Sequence, residues 1–452
     1  MSELPKGWVT ACISDLADLN PKQTFEDHLA AGFVPMSHAP TNFREKLRFD
    51  DRNWGDIKKA YTNFKNGDVI FAKVTPCFEN GKAAFVEGLP NGIGAGSSEF
   101  YVLRPYNEDV SAKYLLALVK SREFMREGAL NMTGAVGLRR VPKQFVESYP
   151  ALVPPAAEQT RIAQKIDELL AQVDTLKDRI DSIPALLKRF RQSVLAAAVS
   201  GKLTEEWHEE NHAPDFQERT IGELFKLIDG DRGPNYPKKE DYQESEYCLF
   251  LSTKNVRKYG FEFQETAFIS KKKHELLRSG TLSRGDIVIT TRGTLGNVAS
   301  YDANVPFDVV RINSGMLILR KIEPALENEF FKMLIASPSF QTLIDTQRSG
   351  SAQPQLPAKI IREFQVSIPS IQEQSEIVRR VEQLFAYADQ LESKVATAKG
   401  RIDHLTQSIL AKAFRGELVP QDPNDEPASV LLARIQAQRV ATPKAKRGSK
   451  ST

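Results

Sequence analysis

The chain has 452 residues, 41% of them hydrophobic and 26% charged, with a formal net charge of +3. That length gives room for two or three domains with full cores, and the composition excludes a disordered, fibrous or membrane-embedded chain. A charge so near neutral leaves nucleic-acid binding to be decided by local clusters. Three scattered cysteines, Cys12, Cys77 and Cys248, have neither metal spacing nor the count of a disulfide framework, which points to a reducing cytoplasm. No apolar run is long enough to span a bilayer, so no membrane partner is expected.

Residues 1–152 read as a first globular segment. Ile13-Ser14-Asp15-Leu16-Ala17 is a short amphipathic piece, and Asp68-Val69-Ile70-Phe71-Ala72 and Phe100-Tyr101-Val102-Leu103 are strand-like. Asn66-Gly67, Asn80-Gly81 and Asn91-Gly92 supply turns between them. Lys113 to Arg126 reads as one helix, and a glycine-containing loop, Thr133 to Arg140, precedes Val141-Pro142.

Residues 153–204 read as a long helix. Its heptad seam is Ile162, Ile166, Leu169, Val173, Leu176, Ile180, Ile183, Leu187, Phe190 and Val194, in alternating steps of four and three. Pro184 lies inside it, where a missing N–H and a ring clash predict a kink or break. Gly201 stands where a left-handed residue would end the helix. Residues 205–215 are polar, contain Pro214 and read as a linker.

Residues 216–367 form a second globular segment with echoes of the first. Ile221-Gly222-Glu223-Leu224 parallels Ile13 to Leu16, and Gly285-Asp286-Ile287-Val288 parallels Gly67 to Ile70. Met316 to Arg320 parallels Tyr101 to Arg104, with different spacings between the matched pieces. Residues 368–420 then repeat the long helix without a gap. Each residue lies 215 positions after its counterpart, from Pro154 and Pro369 to Leu203 and Leu418. The second seam is Ile377, Val381, Leu384, Ala388, Leu391, Val395, Ala398, Ile402, Leu405 and Ile409. Residues 421–452 are a polar tail with a short helix around Ser429–Arg439 and a basic end.

The fold class expected is α+β: two similar heads joined by two long helices in an antiparallel coiled coil. About 40 helical residues span roughly 60 Å, a strut that would set the distance between the heads. Two unlike heads on such a strut suit a two-part target, since half-sites on one face of B-DNA lie roughly 34–36 Å apart per turn.

Catalytic motifs fare poorly. His208-Glu209-Glu210-Asn211-His212 matches HExxH, but it stands in the polar linker just before Pro214, with no apolar helix around it. Gly92-Ile93-Gly94-Ala95-Gly96 lacks the sixth-position glycine of a phosphate loop and reads as a glycine-rich turn. There is no GxxxxGK[ST] and no Asn-Pro-Pro-aromatic methyltransferase motif. The expectation is therefore no enzyme, no metal and no cofactor on this chain.

Polar and basic loop residues at matching positions remain. Lys73, Thr75, Asn80, Lys82, Arg139 and Arg140 are the candidates in the first head; Thr291, Arg292, Thr294, Asn297, Arg348, Ser351 and Gln353 are those in the second. Arg and Lys suit guanine edges and phosphates, Asn and Gln suit adenine, and Ser and Thr serve either. Lys271-Lys272-Lys273 and Arg257-Lys258 could hold phosphates.

Over nearly its whole length the sequence resembles the specificity subunits of type I restriction–modification systems, in their K-type (IA) group. The likeness is sharpest in Ile377–Asp389, Leu405–Leu418 and Leu186–Thr204, and Val153-Pro154-Pro155 with Glu158-Gln159 fits the family's head-to-helix junction. The resemblance implies that residues 1–152 and 216–367 are target recognition domains reading double-stranded DNA. It also implies two adenine-methyltransferase subunits and further restriction–translocation subunits as partners. Those partners would use S-adenosylmethionine, ATP and Mg2+. Arg191, Gln192, Gln407 and Lys412 are candidates for methyltransferase docking. Two other readings stand beside this one: a coiled-coil scaffold joining two protein-binding domains, and a zinc hydrolase built on His208 and His212.

Overall fold

The computed structural model describes residues 4–135, 137–257, 260–323, 326–348 and 354–441. The chain divides into two compact units, Met1–Asp181 with Ala396–Thr452, and Ser182–Val395. Two helices of 44 residues each, Ala156–Val199 and Ile371–Phe414, each contribute a part to both units.

In the first unit the head opens and closes on one antiparallel pair, Val9–Cys12 with Pro150–Val153. Its centre is a four-stranded antiparallel sheet in the order Ala17–Leu19, Phe100–Pro105, Val69–Ala72, Ala83–Phe85. The middle strands are runs of β-branched and aromatic residues because both their faces are covered. Val69, Phe71, Tyr101 and Leu103 pack toward the helices, whereas Ile70, Phe100 and Val102 pack toward a second sheet. That sheet has the order Asp50–Asn53, Ala30–Val34, Ile93–Gly96, Thr62–Lys65, with Ala30–Val34 and Ile93–Gly96 parallel.

The expected glycine-rich turn at 92–96 is therefore wrong. Ile93–Gly96 is a buried inner strand. A Cβ on Gly94 would stand 2.6 Å from the Gly32 carbonyl, so glycine serves close backbone approach here. The single helix expected over Lys113–Arg126 is two helices, Ala112–Val119 and Arg122–Leu130. Ser121 breaks it by accepting from the Phe124 N–H at 3.3 Å, an N-cap that starts the second helix afresh.

The head of the second unit repeats this plan. Gln217–Thr220 pairs with Gln365–Ile368. The central sheet runs Phe225–Asp229, Met316–Lys321, Ile287–Thr290, Val298–Ser300. Beside it Cys248–Leu251 and Val310–Ile312 form the parallel pair, with Phe268–Ile269 on the outer edge.

Buried polar contacts are duplicated too. Arg104 makes two bonds to Asp68 at 2.8 and 2.7 Å, and Arg320 makes two to Asp286 at 2.9 and 2.7 Å. Gln159 donates to the Pro154 carbonyl at 3.0 Å and accepts from the Ser111 N–H at 3.0 Å. Gln374 does the same between Pro369 and Glu327, at 3.0 Å each. Each carboxamide thus ties the start of a long helix to the start of a head helix.

Within each unit the two long helices pack antiparallel. In the first, Lys177 faces Asp403 at 3.7 Å and Lys399 faces Asp181 at 2.6 Å; in the second, Arg191 meets Asp389 at 2.5 Å and Glu392 at 3.0 Å. Ile162, Ile166, Val173, Leu187, Val194, Ile377, Val381, Ala388 and Ile402 are buried, and Leu169, Ile180, Ile183, Phe190, Leu384, Leu391, Val395, Ala398 and Ile409 are half-buried. Leu176 and Leu405 depart from the expected seam, at 45% and 37% exposed. Near the heads the buried stripe widens to Leu170, Leu195, Ala198, Val378, Leu410 and Ala413, because each helix there meets a head as well as its partner. The helix runs unbroken through Pro184, so of the kink or break expected there the break does not occur. Gly201 and Gly416 end the helices with φ of 77° and 71°.

The stretch 205–215 is more than a linker. Glu205–Glu210 is a helix, and Thr204 and His208 both bond the buried Glu373 carboxylate at 2.8 Å. In the tail, helix Ala428–Ala441 buries Ala428, Leu431 and Ile435 in the core of the first head. No helix among the described residues is long and apolar enough to cross a membrane.

Candidate nucleic-acid interface

Four of the six candidates in the first head meet at the end of strand Val69–Ala72. The Thr75 N–H donates to the Arg139 carbonyl at 2.9 Å, the Arg139 N–H to Thr75 Oγ1 at 3.0 Å, and the Val141 N–H to the Lys73 carbonyl at 2.8 Å. These bonds sew an antiparallel hairpin, Thr133–Ala135 with Leu138–Arg140, onto the strand end. The hairpin backbone is otherwise exposed, and Leu138 is 52% exposed. Asn80 and Lys82 follow in the adjoining turn, beyond the cis Thr75–Pro76 bond.

The side chains divide sharply by what they already hold. Lys73 donates to the Ser98 carbonyl at 2.7 Å and lies over the Tyr101 ring. Lys82 donates to the Met36 carbonyl at 2.8 Å. Arg140 makes two bonds to Glu99, at 2.9 and 2.7 Å, and this hydrogen bonding holds the Glu99 carboxyl below its ordinary range. These three are spent on the loop architecture. Arg139 is exposed, and among the described residues its side chain meets only Glu79, at 3.8 Å; Asn80 is exposed. Arg139 and Asn80 are thus the candidates free to take a base edge or phosphate.

The second head builds the same corner. The Leu356 N–H donates to the Thr291 carbonyl at 3.0 Å, as Val141 does to Lys73, and Arg292 bridges Gln355 as Val74 bridges Arg140. Thr291 is buried, and Asn297 donates to the Val256 carbonyl at 2.9 Å, so both are structural. Thr294 is exposed, while its carbonyl accepts from Thr290 Oγ1. Arg292 is half-exposed, with no ion pair or side-chain hydrogen bond among the described residues. Ser351 and Gln353 lie outside the described residues, and of Arg348 only the backbone at the end of helix Pro338–Arg348 is described.

Lys271 lies over the Tyr247 ring, Lys273 pairs with Asp241 at 2.9 Å and Arg257 with Glu262 at 2.6 Å; Lys272 is exposed, and Lys258 lies outside the described residues. The HExxH reading loses its geometry. The helix ends at Glu210, His212 sits beyond it with φ of 47°, and His208 Nδ1 is committed to Glu373. Of the docking candidates, Arg191 is spent on Asp389 and Glu392, and Gln407 donates to the Lys120 carbonyl at 3.2 Å. Gln192 and Lys412 stay exposed.

One element escaped the sequence reading. The loop from Pro40 to Arg48 lies against the 78–83 turn, where the Ala83 N–H donates to the Pro40 carbonyl at 3.1 Å. It exposes Lys46 and Arg48, and Arg44 pairs with Asp174 of the first long helix at 3.1 Å. Its signal was the run Arg44-Glu45-Lys46-Leu47-Arg48, with three cations in five residues.

A family described as "Type I restriction modification DNA specificity domain" matches residues 5–185 and 214–397. The chain is 30% identical over 474 residues to the EcoKI specificity subunit of Escherichia coli K12, covering 97% of each. It is 27% identical to the EcoAI specificity subunit of Escherichia coli, across 91% of this chain and 83% of that one. Among solved structures, the HsdS subunit of Thermoanaerobacter tengcongensis shares the fold, with a TM-score of 0.65 at 19% identity over 92% of this chain and 98% of that one. These matches put DNA recognition ahead of the scaffold reading. The chain belongs to the type I restriction–modification DNA specificity family, and it is a non-catalytic, sequence-recognising subunit.

Proposed function

We propose that the two heads read the two unlike halves of one asymmetric DNA site. The supporting observation is the shared corner. In both heads the same strand end is bonded to the same following segment, and the accessible side chains around it differ: Asn80 and Arg139 in the first head, Arg292 and Thr294 in the second. A common frame with unlike chemistry at one place is what two related readers of different sequences require.

In this reading the chain binds double-stranded DNA, two adenine-methyltransferase subunits and restriction–translocation subunits. S-adenosylmethionine, ATP and Mg2+ belong to those partners, and this chain holds none of them. The exposed Gln192 and Lys412, on the two long helices, are the docking positions that remain after Arg191 and Gln407 are set aside. The relatives' names speak of type I restriction enzymes, which supports this assembly.

The test is methylated-adenine mapping in cells expressing the chain with its methyltransferase partner. One split motif is expected. Exchanging residues 9–153 for those of another member should change one half of the motif and leave the other. An unchanged methylation pattern with soluble partners, or a change in both halves, would overturn the proposal.

A further inference from the structure

Lys120 follows the head helix Ala112–Val119, at the break before Ser121, and is only 4% exposed. Its ammonium has no carboxylate hydrogen-bonded to it among the described residues. It donates instead to four carbonyls: Thr41 and Gly81 at 2.9 Å, Pro40 and Asn42 at 3.5 Å. A buried cation is costly unless its donors are satisfied, so the two loops must keep their carbonyls converged on it. Its own carbonyl accepts from Gln407 of the second long helix. One side chain therefore joins the 40–42 loop to the turn carrying Asn80 and anchors both beside the helix.

We propose that Lys120 is a positioning residue for DNA reading by the first head, locking the 40–48 loop and the 76–82 turn into one DNA-facing surface. This rests on the reading that the strand-end corner faces DNA. The asymmetry of the molecule supports it. Contacts that the fold itself needs are duplicated, as with Gln159 and Gln374, or Asp68 and Asp286. Lys120 is not: counted from Ser111 and Glu327, the residues bound by Gln159 and Gln374, its counterpart is Ala336, which carries no side-chain donor. A device present in one head alone belongs to what that head reads.

The experiment uses the full chain assembled with its methyltransferase partners and duplexes carrying the mapped motif, with single base changes in either half. Lys120→Met keeps most of the apolar stem and removes the donors. The expected result is a loss of affinity like that of one mismatched pair, roughly 5–150-fold. Base discrimination should fall in the half read by the first head and hold in the other. Amide exchange at 41–45 and 78–82 should quicken. If K120M does not fold, K120Q, which keeps an amide donor, takes its place with the same expectation. Unchanged discrimination and exchange overturn the proposal, as does equal weakening of both halves, which would mark general destabilisation. Arg139→Ala and Asn80→Ala separate the two readings. If they impair the half-site and Lys120→Met does not, only the positioning role fails; if none of the three does, the DNA-facing corner itself fails.

Discussion

Arg139 and Arg140 are neighbours in the hairpin, and the structure gives them opposite predictions. Arg140 already holds Glu99 through two parallel bonds, so its guanidinium could reach DNA only by leaving them. Arg139 faces Glu79 at 3.8 Å, beyond hydrogen-bond reach, and has almost nothing to give up. Arg139→Ala should therefore cost DNA binding about 1–3 kcal/mol if the side chain grips a base edge, roughly 5–150-fold in affinity. If it grips a phosphate, affinity should fall evenly across sequences, and the slope of log K against log salt should lessen by about 0.9. Arg140→Ala should leave salt slope and base preference alone and loosen the hairpin, visible as faster amide exchange at 133–140. The assay is equilibrium binding of the assembled methyltransferase complex to cognate and base-swapped duplexes at several salt concentrations. If R140A loses as much discrimination as R139A, or R139A loses none, the sorting of side chains into spent and free is wrong.

Asp68→Ala and Asp286→Ala should each cost about 1–3 kcal/mol in denaturant unfolding, because each empties a buried carboxylate site and takes the acceptor from a backbone N–H and a partly exposed arginine. D68A should loosen amide exchange in the first head only and D286A in the second only. Ile435→Ala in the C-terminal helix should destabilise the first head by about 2–5 kcal/mol, since that side chain is fully buried in its core. Burial pushes the Lys120 amine down to about 7, against a slight upward pull from Glu45. Between that value and the ordinary one of 10.5 the unfolded chain holds more protons, so the stability of the first head should rise with pH above 7. K120M should flatten that rise, and an equal rise in both proteins would refute the assignment.

The long helices were legible because their pattern is local. Alternating steps of four and three, repeated at constant offset, leave little for tertiary structure to alter. The pattern fails at Leu176 and Leu405, which the fold leaves 45% and 37% exposed and which a periodicity cannot report. The heads are legible in outline through their echoes, and Glu158-Gln159 through its place at the head-to-helix junction. Gly94 was misread because a glycine tolerated in a turn and one required by a parallel neighbour look alike in sequence. The candidate site was legible as a place, the strand-end corner, and not as a set of side chains. Lys73, Lys82, Arg140 and Asn297 have the right chemistry for nucleic acid, but each meets a carbonyl or carboxylate brought from 25 to 46 residues away. Lys120 was passed over as an ordinary helical lysine because only the fold delivers the carbonyls of Pro40, Thr41, Asn42 and Gly81 to it.

The duplicated and unduplicated contacts occupy different layers, and that division has a physical consequence. Asp68–Arg104 and Asp286–Arg320 each join two strands of a central sheet, and each acid also takes a backbone N–H, from Lys65 and from Ser283. These charges are compensated where they stand and ask nothing of the exposed loops. The strand-end corner is held mainly by backbone bonds, Val141 to Lys73 and Leu356 to Thr291, which constrain side-chain identity little. In the proposed reading, a substitution at Asn80 or Arg139 in one head, or at Arg292 or Thr294 in the other, changes what is offered to DNA while the sheet charges stay paired. In the first head that freedom stops at Lys120, where two loops are tied through one ammonium. Changes to the carbonyl-bearing loops there must keep their backbone course, though their side chains can vary. Diversity of reading in this protein is thus expected in side chains borne on a backbone path the two heads share, with the Asp–Arg pairs insulating the frame from it.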